Sequence, residues 1–104
     1  MKNAYPTEEE LAQRDKDRKI DRLKAEHDFE TVVSTEEGRR LISQIISECG
    51  VYRSTFDVES SVMSYREGQR SIGLYITEMF YSCPEIYIQM ITEKDKNERN
   101  SSST

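Results

Sequence analysis

Ser34-Thr35-Glu36-Glu37-Gly38-Arg39-Arg40-Leu41-Ile42-Ser43-Gln44-Ile45-Ile46-Ser47-Glu48-Cys49-Gly50 is the stretch of sequence that decides the fold. Its apolar positions recur at three- and four-residue spacing, with Gly38 on the same face: Leu41, Ile42, Ile45, Ile46 and Cys49. At about 100° per residue these positions cover an arc of roughly 140°, the width of one buried helix face. Ser34 and Glu37 form a capping box, and Gly50 is a natural left-handed stop. The pattern predicts a helix that ends near Cys49.

A second amphipathic helix is predicted downstream, with Asp57 or Ser60 as its cap and its end near Tyr81. One stripe of this helix falls within an arc of roughly 80°: Tyr65, Gly68, Ile72, Ile76, Met79 and Cys83. A glycine within a helix costs about 1 kcal/mol relative to alanine, which is reasonable where another backbone approaches closely. We therefore expect Gly68 to pack against Gly38.

Two further helices flank this pair. Thr7 and Glu10 form a capping box at the start of a long, highly charged helix that continues to about Glu26, with Phe29, Val32 and Val33 anchoring its end. Pro84 opens a short last helix that fades near Lys94, and the polar end of the chain reads as a disordered tail.

The connector between the middle helices, residues 51–56, is β-rich in composition but has no matching strand elsewhere. We expect it to be extended, with Val51, Tyr52 and Phe56 packed on the bundle. The predicted fold is therefore all-α: a small bundle of about four helices. Its predicted parts are a charged N-terminal helical arm (residues 1–28), a compact helical domain (29–93) and a disordered tail (94–104).

Composition excludes several classes of protein. The 104 residues carry 15 cations and 20 anions, a net charge of −5 that does not favour polyanion binding by the whole chain. No apolar run is long enough to span a membrane, and the N-terminus lacks the apolar stretch of a secretory signal. These features favour a reducing cytoplasm, in which Cys49 and Cys83 are expected to be buried thiols rather than a disulfide.

Catalytic and metal sites are not predicted. His27 is the only histidine and lies in the charged helix, so no Ser-His-Asp or Cys-His arrangement can be built without it. Two cysteines and one histidine cannot complete a tetrahedral zinc site alone. The glycines of the third helix do not form a phosphate loop, because they lie inside a helical pattern. We expect a protein that is not an enzyme and has no metal or cofactor.

The third helix carries a second pattern that suggests a contact surface. Met63, Leu74 and Tyr81 lie opposite the predicted core stripe, beside Arg66, Glu67 and Arg70. Such a face could consist of ordinary scattered exposed hydrophobes, or it could be an interface, where aromatic, methionine and arginine residues are enriched. The arginines could hold phosphates or pair with Glu67, Glu59 or a carboxylate of another subunit, and protein pairing is favoured. The candidate partner-contact residues are Arg53, Met63, Arg66, Arg70, Leu74 and Tyr81.

Several strings of the sequence resemble a family of small tailed-phage proteins. These are Glu37-Gly38-Arg39-Arg40-Leu41, the run from Glu48 to Phe56, Tyr65 to Leu74, and Pro84-Glu85 with Tyr87. A typical member of this family is encoded among the head-morphogenesis genes of a Bordetella podovirus. The resemblance covers about residues 29–93 and leaves out the charged arm. It implies association with a phage particle or its assembly, and it implies no reaction.

Together these observations predict a non-enzymatic phage structural or virion-assembly protein that acts through helix-mediated protein contacts. Its expected partners are other phage particle proteins or further copies of itself, with no membrane partner. Its expected location is the host cytoplasm and, if it stays in the particle, the virion. Two alternatives are a nucleic-acid-associated protein in packaging or ejection, and a small host-takeover inhibitor that presents its acidic helix.

Overall fold

The computed structural model describes residues 4–102, and the regular structure within that range is entirely helical. Four α-helices follow one another, with a 3₁₀ turn at Met79–Ser82: α1 Glu8–Val33, α2 Glu36–Glu48, α3 Ser60–Glu78 and α4 Pro84–Ser102. The predicted all-α class with a long charged first helix is confirmed. None of the helices described is both long and apolar enough to cross a membrane.

Helix α1 is capped as predicted and extends beyond the core. The Thr7 hydroxyl accepts a hydrogen bond from the Glu10 backbone N–H at 3.1 Å, which satisfies one of the free donors of the first turn. Residues 8–28, called the α1 arm below, are exposed apart from the half-buried Glu26. Phe29 and Val33 are buried and tie the helix to the core. The molecule is accordingly elongated, with a radius of gyration of 19.4 Å against roughly 13 Å for a compact chain of this length.

The cap of α2 is Thr35, and the prediction of Ser34 was wrong. The Thr35 hydroxyl accepts a hydrogen bond from the Gly38 N–H at 3.0 Å. Ser34 instead ends α1, where its hydroxyl donates to the Thr31 carbonyl at 2.8 Å. The two helices are so close in the chain that the last turn of α1 takes Ser34. Gly50 ends the segment with a φ of 72°, which confirms the predicted left-handed stop.

The buried face of α2 is rotated from the predicted one. Ile46 is fully buried and Ile42 packs against the core, but Leu41 and Ile45 at the other edge of the predicted arc are exposed. Arg39 is buried instead, at 7% exposure. The rotation follows from a bond between Arg39 and Glu93 of α4, which holds the Arg39 side of the helix inward.

The predicted cap of α3 and its predicted glycine contact were both wrong. Glu59 occupies the cap position, and the Asp57 carboxylate accepts from the Glu59 N–H at 2.9 Å in a turn that precedes the helix. Gly68 is exposed, and a Cβ there would meet nothing within 4 Å. The closely packed glycine of α3 is Gly73, where a Cβ would lie 2.6 Å from the Cys49 Cβ and would also meet Val51. The stripe is thus rotated, and it leaves Tyr65 and Ile72 exposed.

Helix α4 begins at Pro84, as predicted, but it continues through Ser102. The predicted disordered tail is therefore corrected over residues 94–102, whereas residues 103 and 104 lie outside the described part. Lys94, expected at the fading end of the helix, donates to the Ser47 hydroxyl of α2 at 2.7 Å. This bond holds α4 against α2. Beyond Lys94, charged residues of good helix propensity continue the α4 helix.

The core is small and lies where the four helices and the 3₁₀ turn meet. Its buried side chains are Phe29, Val33, Ile46, Phe80, Cys83 and Met90. Phe80 is at the centre, with its ring edge-to-face to Phe29 at 4.8 Å and tilted against Tyr87 at 5.1 Å. Both cysteines are free thiols, Cys83 buried and Cys49 half-buried.

The connector between α2 and α3 packs less than predicted. Val51 lies against the core, but Tyr52 and Phe56 are mostly exposed. Tyr52 contributes through its hydroxyl, which lies 2.9 Å from the hydroxyl of Tyr87.

Candidate protein-contact surface

The structure brings two of the predicted contact arginines together. Arg53 of the connector and Arg66 of α3 line one pocket of about 320 Å³. Arg53 donates to the Ser47 carbonyl at 2.9 Å, and Arg66 donates to the Phe56 carbonyl at 3.3 Å. Both guanidinium groups therefore hold the connector in place.

Arg66 also pairs with a carboxylate that the sequence prediction had not considered. Its partner is Asp57 at 3.3 Å, in place of the predicted Glu59 or Glu67. Glu67 instead accepts a hydrogen bond from the Thr55 hydroxyl. Asp57 can reach Arg66 because the connector folds back over the first turns of α3. The charge of Arg66 is thus balanced by Asp57, whereas Arg53 bonds a backbone carbonyl.

The other predicted contact residues differ in exposure. Tyr81, in the 3₁₀ turn, is 81% exposed, whereas Leu74 is only 37% exposed. Met63 and Arg70 are half-buried on α3. These residues stay candidates, and Tyr81 is the one best placed to meet a partner.

The sequence prediction missed an open apolar groove between α2 and α3. Its volume is about 490 Å³, and we call it the α2–α3 groove. Its lining residues are Leu41, Gln44, Ile45, Glu48, Cys49, Gln69 and Ile72. Leu41 and Ile72 are both more than half exposed. The rotation of both helices away from their predicted faces leaves these side chains pointing outward together.

The groove has the composition of an interface core. Among the described residues that line it, Glu48 alone is charged, while leucine, isoleucine and cysteine side chains supply apolar area. Depletion of charge at the centre is what distinguishes interface cores from the rest of a protein surface. The sequence did not distinguish these exposed positions from core positions, because the α2 arc has the width of one buried helix face.

A bonded ion pair between Arg39 and Glu93 fixes α2 against α4. Arg39 donates to both carboxylate oxygens of Glu93 at 3.0 Å, and to the Val33 carbonyl at 3.0 Å. The hydrogen bonds from Arg39 hold the pKa of Glu93 below its ordinary value, and those to Glu93 raise the pKa of Arg39. This bidentate arrangement sets the rotation of α2 and so indirectly exposes the groove.

Two other groups have shifted pKa values for local reasons. Desolvation and the bond to Tyr87 raise the pKa of Tyr52 to about 12. Burial raises the pKa of the Cys83 thiol, so it is a poor nucleophile at neutral pH. Neither shift marks a reactive site, because Tyr52 is shifted where the connector contacts α4 and Cys83 is shifted inside the core.

A comparison with protein-family models places this core in a known group. The model of the Bbp19-like phage protein family matches residues 29–92. The chain belongs to this family. The match begins at Phe29, the first buried residue of α1, and it includes both walls of the α2–α3 groove. The α1 arm lies outside it. Searches of curated proteins and of solved structures found no match.

Proposed function

We propose that this member of the Bbp19-like family is a non-enzymatic structural or virion-assembly protein that acts through helix-mediated protein contacts. The observation that carries the proposal is the α2–α3 groove, an apolar, charge-poor surface within the family-matched residues. Its expected setting is the host cytoplasm during assembly and the finished particle. Arg53, Tyr81 and the groove residues Leu41 and Ile72 are its proposed contacts.

The exposed area supports a role in assembly. The chain exposes 8506 Å² of surface, against roughly 6,100 Å² for a compact monomer of its mass. The difference exceeds the roughly 800 Å² that each partner buries in a standard interface. The surface available for contacts is therefore larger than one ordinary interface requires.

Mass spectrometry of purified particles and of assembly intermediates tests the proposal. We expect the chain in one or both, at a fixed ratio to the other particle proteins. In the phage, the groove variant Leu41→Asp with Ile72→Asp should reduce that ratio at least tenfold, because two buried charges would have to be desolvated. The matched control is Ile88→Asp, an exposed apolar residue of α4, which should leave the ratio unchanged.

Absence of the chain from particles and intermediates, with a normal particle yield after deletion of its gene, would refute the proposal.

The nucleic-acid alternative has one favourable feature, a basic segment at residues 14–24 with six cations and three anions. Retardation of duplex DNA in a gel, lost as salt rises, would support that alternative instead.

A further inference from the structure

Two exposed apolar surfaces of this chain lie on different elements. One is the α2–α3 groove. The other is on the α1 arm, where Ile20 and Leu23 are each about half exposed, at 49% and 52%. Residues three apart on a helix face the same side, so Ile20 and Leu23 form a short apolar strip, called the arm strip below.

The charges around the two surfaces are opposite in sign. The α1 arm as a whole carries six cations and eight anions, but its middle part, residues 14–24 around the arm strip, carries six cations and three anions, a net charge of +3. Residues 34–93, which hold the groove, carry five cations and nine anions, a net charge of −4. The charged residue that lines the groove is Glu48. An arm seated in the groove would therefore bring cations to a carboxylate.

The arm cannot reach the groove of its own chain. Helix α1 is continuous from Glu8 to Val33, and no glycine or proline occurs within it. Sharp kinks in helices occur almost always at such residues or at inserted bulges. Since residues 8–28 are exposed apart from the half-buried Glu26, an arm that fills a groove must come from another molecule.

We propose that the α1 arm of one copy docks in the α2–α3 groove of a second copy, with Ile20 and Leu23 against Leu41 and Ile72. This inference rests on the proposed function and specifies one of its contacts. It is the helix-in-groove mode of recognition. Reciprocal docking closes a dimer, and head-to-tail docking makes a ring or a filament.

Contacts between like surfaces are less favourable. A groove-to-groove dimer brings two Glu48 carboxylates into one apolar interface, and an arm-to-arm dimer in register opposes two segments of net charge +3. Like charges placed opposite each other weaken an interface. The arm-to-groove contact is the pairing in which the charges attract.

A complementation experiment with two full-length variants tests the proposal. The arm variant carries Ile20→Asp and Leu23→Asp, and the groove variant carries Leu41→Asp and Ile72→Asp. Analytical ultracentrifugation at tens of micromolar should show oligomers for the native chain and monomers for each variant alone. A mixture of the two variants should restore a dimer, because the intact arm of one meets the intact groove of the other.

The mixture separates the possible modes of association. If the arm variant alone still associates, the contact is groove-to-groove, and if the groove variant alone still associates, it is arm-to-arm; either result shows that the proposal is wrong. A mixture that stays monomeric while the native chain associates also refutes the proposal. Rising salt should weaken the native contact, because it screens attraction between opposite charges; strengthening by salt would also contradict the proposal. The control Ile88→Asp should associate like the native chain, and circular dichroism should show that every variant is folded.

The two proposals can fail separately. A native chain that is monomeric at these concentrations refutes the arm-to-groove contact. If the groove variant is nevertheless lost from particles, the assembly role stands, with a different partner in the groove. An oligomeric chain that is absent from particles and intermediates keeps the contact and refutes the assembly role.

Discussion

At the scale of single residues, the position of one glycine decides how α2 and α3 meet. Gly73 lies against Cys49 and Val51, whereas Gly68 faces open space. Both are interior to the same helix, so their intrinsic cost to helix stability is the same. The difference between them is therefore purely one of packing.

Substitution by alanine should separate these two glycines. Gly73→Ala should lower the free energy of unfolding by about 1–3 kcal/mol, because its Cβ would overlap Cys49 and Val51. Gly68→Ala should raise it by about 0.5–1 kcal/mol, because alanine is the better helix former. Chemical denaturation measures both. Equal effects at the two positions would contradict the helix packing described above.

The bond between Arg39 and Glu93 should make the free energy of unfolding depend on pH in the acid range. Because the pKa of Glu93 is lower in the folded protein than its ordinary value, its contribution is present at neutral pH and is lost as pH falls through that lowered value. Glu93→Gln should lower the free energy of unfolding by about 2 kcal/mol at pH 7, because Arg39 would lose its charged partner.

The same variant should flatten the acid dependence of unfolding below pH 4.5. Glu36→Gln is the matched control, since Glu36 pairs with Arg40 at the exposed surface at 3.4 Å and such pairs contribute little. Thermal melts of the two variants across pH 2–7 make the comparison. An unchanged acid dependence in Glu93→Gln would show that another carboxyl group is responsible.

At the scale of elements, some helix ends were predictable from local sequence, although the caps of α2 and α3 and the end of α4 were not, and the buried helix faces were not predictable. Thr7, Gly50 and Pro84 act within a few residues of themselves, so their roles could be read directly. The face that α2 buries depends on Arg39 meeting Glu93 far along the chain. The groove could not be predicted for the same reason: an apolar side chain has the same sequence pattern whether it packs inside or faces a partner.

The cap of α2 offers a test at this scale. Thr35→Ala should cost about 1 kcal/mol of stability, because the Gly38 N–H loses its acceptor. Ser34→Ala should cost less, since Ser34 donates only to a carbonyl at the end of α1. Thermal denaturation ranks the two variants. A larger loss for Ser34→Ala would restore the assignment that the sequence alone suggested.

At the scale of the whole molecule, shape and core size go together. Among the described residues, six form the buried apolar core, and the long α1 arm adds surface without adding to that core. Small-angle scattering of the groove variant, which should be monomeric, should give a radius of gyration near 19.4 Å. A value close to the roughly 13 Å of a compact chain would mean that the arm folds back.

The unbroken α1 helix has a consequence for how its sequence can change. Phe29 and Val33 are buried in the core and fix the orientation of the helix there. Because α1 is unbroken, that orientation also fixes the direction in which Ile20 and Leu23 point. Inserting one residue between Leu23 and Phe29 would turn the far end by about 100°, while inserting seven would restore the direction and lengthen the reach by roughly 10 Å. The length of the α1 arm can therefore change without changing the direction of the arm strip only in steps of about seven residues, or two helical turns.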